Sequence, residues 1–213
     1  MGSLAPALNK KARAELGETL WQKHKEIVSG FWDSIAQFFR SIVVSGFKIY
    51  QDGLVADGDE GLRIVREGIS QGSKNYEIIG DVLKRGAVLM KTEELALVRQ
   101  EYGYIAQLAR SKSPREKESA ALRYKLDQAR LLKQRDDFIA RTINETLNAE
   151  ETGVLFIGAY HDVLSRLPHS IEVVEVKDVG KVREYHKTLV TSKRFSPHLN
   201  QLALHLTSPI YRT

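Results

Sequence analysis

Val154, Leu155, Phe156 and Ile157 form an unbroken apolar run between Gly153 and Gly158, and His161 follows three residues after the second glycine. Four residues are too few to carry a helix. An apolar run of that length closed off by glycines is the pattern of a strand buried on both faces, so residues 153–157 read as the central strand of a parallel sheet. The chain then turns at Gly158 and delivers His161 at the carboxyl end of that strand, where open α/β sheets place their ligands.

The segments before it alternate between helical and strand patterns. Over residues 14–43, Leu16, Leu20, Ile27, Phe31, Ile35, Phe38 or Phe39, and Ile42 recur at spacings of three and four, which predicts an amphipathic helix. His24 fills a slot on that apolar face, where it reads either as a core histidine hydrogen-bonded to a neighbour or as a group directed toward a site. Residues 46–52 alternate apolar and polar, predicting a half-buried first strand with Asp52 at its end. Two short helices are expected at 59–67 and 73–85, separated by the breakers Gly68 and Gly72. Ser73 is the expected N-cap of the second, Lys74, Asn75 and Tyr76 lie where backbone N–H groups could hold an anion, and Gly86 closes the helix. Residues 87–90 predict a second strand, after which Thr92 caps a helix with Glu93 and Glu94 in its first turn.

Ser113 and Pro114 open a helix expected to continue to about Leu147, a rod of roughly 50 Å. Its stripe is Leu122, Leu126, Ala129, Leu132, Ile139, Ile143 and Leu147, interrupted by Asp136. A carboxylate inside an apolar face costs several kcal/mol unless it is paired or hydrogen-bonded. After His161 come a short helical connection at 162–167, a fourth strand at 170–177 and a helix from Gly180 to about Ser192. His186, His198 and His205 read as surface residues. The expected fold is α/β: a helix-rich single domain over residues 1–192 with a small, mostly parallel sheet of about four strands, then a loosely packed tail or surface helix over 193–213.

Composition narrows the chemistry. A chain of 213 residues buries about 70% of its unfolded surface as one core. It has no cysteine, which excludes disulfides, thiolate nucleophiles, thiolate-bound zinc and iron–sulfur clusters, so a metal would need His, Asp or Glu. No apolar run approaches the roughly 20 residues that cross a bilayer, and the N-terminus lacks the pattern of a signal peptide; a cytoplasmic protein with no membrane contact is expected. The net charge of +5 is spread among acidic residues without a dense basic block, so nucleic acid is not the expected partner.

Parallel crossovers bring the carboxyl ends of the strands to one edge, where Asp52, Glu93 and His161 would converge. His24 and Asp136 need a polar environment, and the same edge supplies one. Two imidazoles and three carboxylates could bind a divalent metal, with His161, Glu93, Asp136, His24 and Asp52 as ligands. They could equally perform acid–base chemistry, with His161 titrating near neutrality and a carboxylate orienting it. HExxH, Walker A and dinucleotide-binding motifs are all absent from the sequence.

The helix segment Arg135-Asp-Asp-Phe-Ile-Ala-Arg-Thr-Ile-Asn-Glu-Thr-Leu147, followed after a short gap by Gly153-Val-Leu-Phe-Ile-Gly-Ala-Tyr-His161, resembles the closing segment of the TraB and ChaN-like (EreA-like) group. Arg135 matches the arginine of that group's helix, Asp136 stands where asparagine is usual, and Gly158 and His161 match its GxxH turn. The group's early glycine and histidine motif has no counterpart near Asp52. The resemblance implies an α/β core and an activity among metal-dependent peptidases, esterase-like enzymes and haem-binding proteins.

Three functional readings follow. The first is a hydrolase acting on a small molecule or peptide, with His161 as base or metal ligand, Glu93 and Asp136 as ligands or orienting groups, and Arg135 holding an anionic group of the substrate. The second is a non-catalytic sensor that holds a small ligand at the same edge. The third is a scaffold or homo-oligomer that pairs through the long helix.

Overall fold

The computed structural model describes residues 13–192 and 194–211. The first twelve residues of the expected domain, together with residues 193, 212 and 213 of the expected tail, lie outside the described residues.

Among the described residues the sheet has three parallel strands, with β1 (Lys48–Gln51) between β2 (Val88–Leu89) and β3 (Gly153–Phe156). The strand expected at the centre, β3, is therefore an edge strand. Helices lie on both faces of the sheet, with Val154 packed on one side and Leu155 on the other. An apolar run thus reports two covered faces, and an edge strand of so small a sheet has both. Conversely, β1 is the buried strand: Ile49 and Tyr50 are almost wholly enclosed, Gln51 is 7% exposed, and the polarity that suggested a half-buried strand serves hydrogen bonds described below.

Helix α1 (Glu18–Arg40) precedes β1, and α2 (Gly58–Ser70) and α3 (Lys74–Lys84) connect β1 to β2. These pack on the Ile49 face through Ile35, Phe39, Val65, Ile79 and Val82. A hairpin of α4 (Leu95–Arg110) and α5 (Pro114–Thr146) connects β2 to β3. The carboxyl half of α5 covers the Tyr50 face through Ile139, Ala140 and Ile143, where Val163 joins it after β3. The chain thus leaves β1 toward one face and β3 toward the other. The carboxyl ends of the two strands are the usual ligand position in such sheets.

Several expectations change. Gly68 lies inside α2 and does not break it; Tyr76 of α3 packs so closely there that an added Cβ would stand 2.3 Å from its ring. Gly86 does follow α3 with a positive φ of 95°. Residues 170–177 pair with no strand; the pattern breaks at Val173 and Val174, both exposed, and only Ile171 packs against the α5 side. Ser113 and Glu116 form the reciprocal cap that starts α5. Leu122 and Leu126, however, are exposed, whereas Ala120 in the same half of α5 is buried. The expected tail is a docked helix, α7 (Pro197–Thr207). Its Leu199, Leu202 and Leu206 pack against Leu20 of α1 and against Tyr185 and Leu189 of α6 (Val179–Ser192). Ser196 caps it, accepting from the backbone N–H of Leu199 at 3.1 Å.

Candidate functional site

The carboxyl edge of the sheet is organised around Arg135 and His161, one on a helix and one on a turn. Arg135 and Asp136 are successive residues of α5, both buried, and they point to different partners. The Arg135 guanidinium donates through Nε to Glu93 at 2.9 Å and through Nη2 to the second oxygen of the same carboxylate. It also donates to Asp52 and, from α4, Glu101. Asp136 accepts from Nδ1 of His161 at 2.5 Å and from the backbone N–H of Asp162 at 2.9 Å. Nε2 of His161 lies 3.4 Å from Oδ2 of Asp52, so the imidazole stands between two carboxylates.

Local sequence explains each placement. Asp52 follows β1 directly, and its N–H extends the ladder by donating to the Phe156 carbonyl at 2.8 Å. Glu93 follows β2. Thr92 does not cap α4, which begins at Leu95 with Glu94 at its N-cap. Instead its hydroxyl accepts from the Gln51 N–H at 3.0 Å and donates to the Met90 carbonyl, continuing the β2 edge with a side chain. Thr92 and Glu93 both donate backbone N–H bonds to Leu54, and Glu93 accepts from the Gly53 N–H at 3.2 Å. His161 closes a turn by donating its N–H to the Gly158 carbonyl. Arg183 of α6 grips that turn through the carbonyls of Ala159 and His161, and His186 bonds the Tyr160 hydroxyl at 2.8 Å.

Charge is unevenly shared. Burial pulls the His161 imidazole toward its neutral form, but the hydrogen bonds and charges of Asp52 and Asp136 outweigh it and hold its pKa above the ordinary histidine value. Burial also raises Asp52, yet His161 and Arg135 together keep that carboxyl well below the usual range. Glu93 is fully enclosed; burial, reinforced by Asp52 beside it, pushes its carboxyl up to about 7 against the pull of Arg135. One guanidinium serving three carboxylates accounts for that direction, since the most enclosed of the three holds a proton most readily.

Of the residues expected to meet, Asp52, Glu93, Arg135, Asp136 and His161 do so. His24 does not: it bonds the Tyr185 hydroxyl at 3.0 Å between α1 and α6, in the apolar cluster beneath α7. A hydroxyl satisfies an imidazole without any approach to the sheet edge. The role expected for Arg135 changes too, because its donors are spent on Glu93, Asp52 and Glu101 and leave no fork for a substrate anion. The same geometry argues against the metal. Among the described residues no group of three or more His, Asp or Glu is arranged to hold an ion, and a guanidinium fills the place between the carboxylates that a cation would take. Glu93 does not sit in the first turn of a helix.

Sequence reading missed Glu101, which interrupts no apolar stripe, and the chain from Asn75 Nδ2 to Gln51 Oε1 at 3.0 Å and from Gln51 Nε2 to the Asp52 carbonyl at 2.8 Å. Asn75 spends its amide on this chain, and the Ser73 hydroxyl turns to the Asn75 side chain without capping α3. His186, His198 and His205 are all exposed.

No family model matches the chain, and neither a curated protein nor a solved structure is found to be similar to it. Among the described residues no helix is long and apolar enough to cross a membrane.

Proposed function

We propose that the carboxyl edge of β1 and β3 is an acid–base site and that the protein is a hydrolase of the TraB and ChaN-like type acting on a small molecule or peptide. The observation that carries this reading is the His161 imidazole, held by Asp136 on one nitrogen and facing the partly exposed Asp52 with the other. Asp136 orients the ring and fixes a proton on Nδ1, leaving Nε2 to exchange a proton with substrate or water. Asp52, 22% exposed at its side chain, is the open end of the array. Arg135 and Glu93 hold this array in place. Glycine and histidine of the GxxH turn, Gly158 and His161, are the positions through which the sequence resemblance supports the assignment. No step here runs through a metal, since the donor set does not suit one.

The test is turnover by the untagged chain against panels of activated esters and short peptides. His161→Gln and Asp136→Asn should each lower kcat by 100-fold or more while the protein stays folded, within the range that positioned acid–base groups supply. Equal turnover by wild type and His161→Gln, or no turnover of any panel member, would overturn the hydrolase. A second reading, in which the same edge binds a small ligand without chemistry, rests on the His161 imidazole, whose pKa is held above the ordinary value, as the donor. Stabilisation of wild type by a small acid, lost in His161→Gln with no turnover, would select it.

A further inference from the structure

A polar cleft lies in the arm formed by α4 and the first half of α5, beginning one residue beyond Glu101. It is a largely open cleft of about 750 Å³ between the facing stripes of the two helices. Its floor on α4 is Gly103 and Ala106, where a Cβ added to Gly103 would meet nothing within 4 Å. Its walls carry Arg110 from the last turn of α4 and Arg115 and Arg123 from α5, two turns and about 12 Å apart.

The charge there is uncompensated. None of these three arginines has a hydrogen-bonded or ion-paired carboxylate among the described residues. The neighbouring Arg130, just beyond the cavity, is paired with Asp127 at 2.8 Å. The one acid in the lining, Glu116, is occupied by the backbone N–H groups of Lys112 and Ser113. Residues 95–131 hold eight Lys or Arg against four Asp or Glu, so much of the chain's net charge of +5 resides in this arm. The cations facing the cavity are all arginine, whose planar fork bonds phosphate oxygens in pairs.

We propose that this cavity binds a compact ligand carrying two or more phosphate groups, of the diphosphate or nucleoside diphosphate class. Arg115 and Arg123 span the separation of two charged groups along the ligand, and Arg110 closes over them from the opposite helix. The flat floor at Gly103 and Ala106 accommodates an uncharged portion. An acidic protein segment would need a groove running the length of the arm, and a nucleic-acid strand a basic track continuing beyond it. The lysines of the arm lie outside the lining, so neither extended track is built into the cavity.

Isothermal titration of the full chain with pyrophosphate and with ADP, in phosphate-free buffer at about 50 mM salt, tests the site. Saturable one-to-one binding is expected, weakened more than tenfold in Arg115→Gln/Arg123→Gln and retained within twofold in Arg130→Gln. Binding of pyrophosphate alone identifies the diphosphate as the ligand. Tighter binding of ADP places a nucleoside on the floor. The proposal is overturned if neither binds, if Arg130→Gln loses as much as the double variant, or if a poly-glutamate peptide or a single-stranded oligonucleotide binds more tightly than both. His161→Gln should bind pyrophosphate as wild type does, which separates failure here from failure of the hydrolase.

Discussion

Replacing Arg135 by methionine keeps the length of the side chain and removes the guanidinium that three carboxylates at the sheet edge share. Glu101 and Asp52 keep 19% and 22% of their side chains in contact with solvent and can turn to water. Glu93 is fully enclosed and cannot. The cost therefore concentrates on Glu93, and breaking a buried pair in this way costs about 3–5 kcal/mol, a third or more of the stability of an ordinary domain. That loss should depend on pH. Glu93 already titrates at about 7 beside Arg135. Without Arg135 its pKa climbs further, so at pH 5.5 it enters the fold neutral and the deficit shrinks. Urea midpoints followed by far-UV circular dichroism at pH 5.5 and 8 measure both effects. The double variant Arg135→Met/Glu93→Gln should be more stable than Arg135→Met alone at pH 8, because the buried charge is gone. A deficit below about 1 kcal/mol at pH 8, an equal deficit at both pH values, or full additivity in the double variant would refute the shared-cation account.

Two further outcomes follow from the same coordinates. Glu93 and His161 have raised folded-state pKa values, so their contributions are complete below their unfolded values of 4.5 and 6.5 and fade as pH rises through about 7 and beyond. Asp52, depressed, contributes above 3.8 and fails only in acid. Stability should therefore peak near pH 4 to 4.5 and fall toward pH 8, and Glu93→Gln should flatten the part of that fall between about pH 4.5 and 7. A stability curve that rises steadily from pH 5 to 8 would contradict this. In α2, Gly68→Ala would ordinarily gain up to about 1 kcal/mol in helix propensity. Here the methyl group meets the Tyr76 ring at 2.3 Å, so the variant should lose about 1–3 kcal/mol of stability in thermal or urea unfolding. A gain would mean that α2 and α3 are not held together at this glycine.

The sequence made the three strand segments and most helices legible because their signals are local: Ser113 and Pro114 at the start of α5, the glycine after α3, the periodicity of α1. Sheet order was not local. A run of four apolar residues cannot say whether its neighbours lie on one side or two, which is why β3 looked central and β1 marginal. Residues such as Thr92 and Gln51 were opaque for a related reason, since their hydrogen bonds join segments some 40 residues apart.

The two polar interruptions of apolar stripes, His24 and Asp136, gave the same signal and led to different places. A neutral imidazole both donates and accepts, so one hydroxyl on a neighbouring helix satisfies it, as Tyr185 does for His24. An ionised carboxylate accepts only, and in an apolar setting it must find donors or a cation. Asp136 obtains both, from the Asp162 backbone and the His161 ring, and both lie in the turn after β3. A buried aspartate thus points to a convergence of segments more firmly than a buried histidine does. The contrast has a measurable consequence: Asp136→Leu should disorder the turn of residues 158–161, whereas His24→Leu should leave that turn and its His161 chemical shifts unchanged. Similar shifts at His161 in the two variants would remove Asp136 from its organising role.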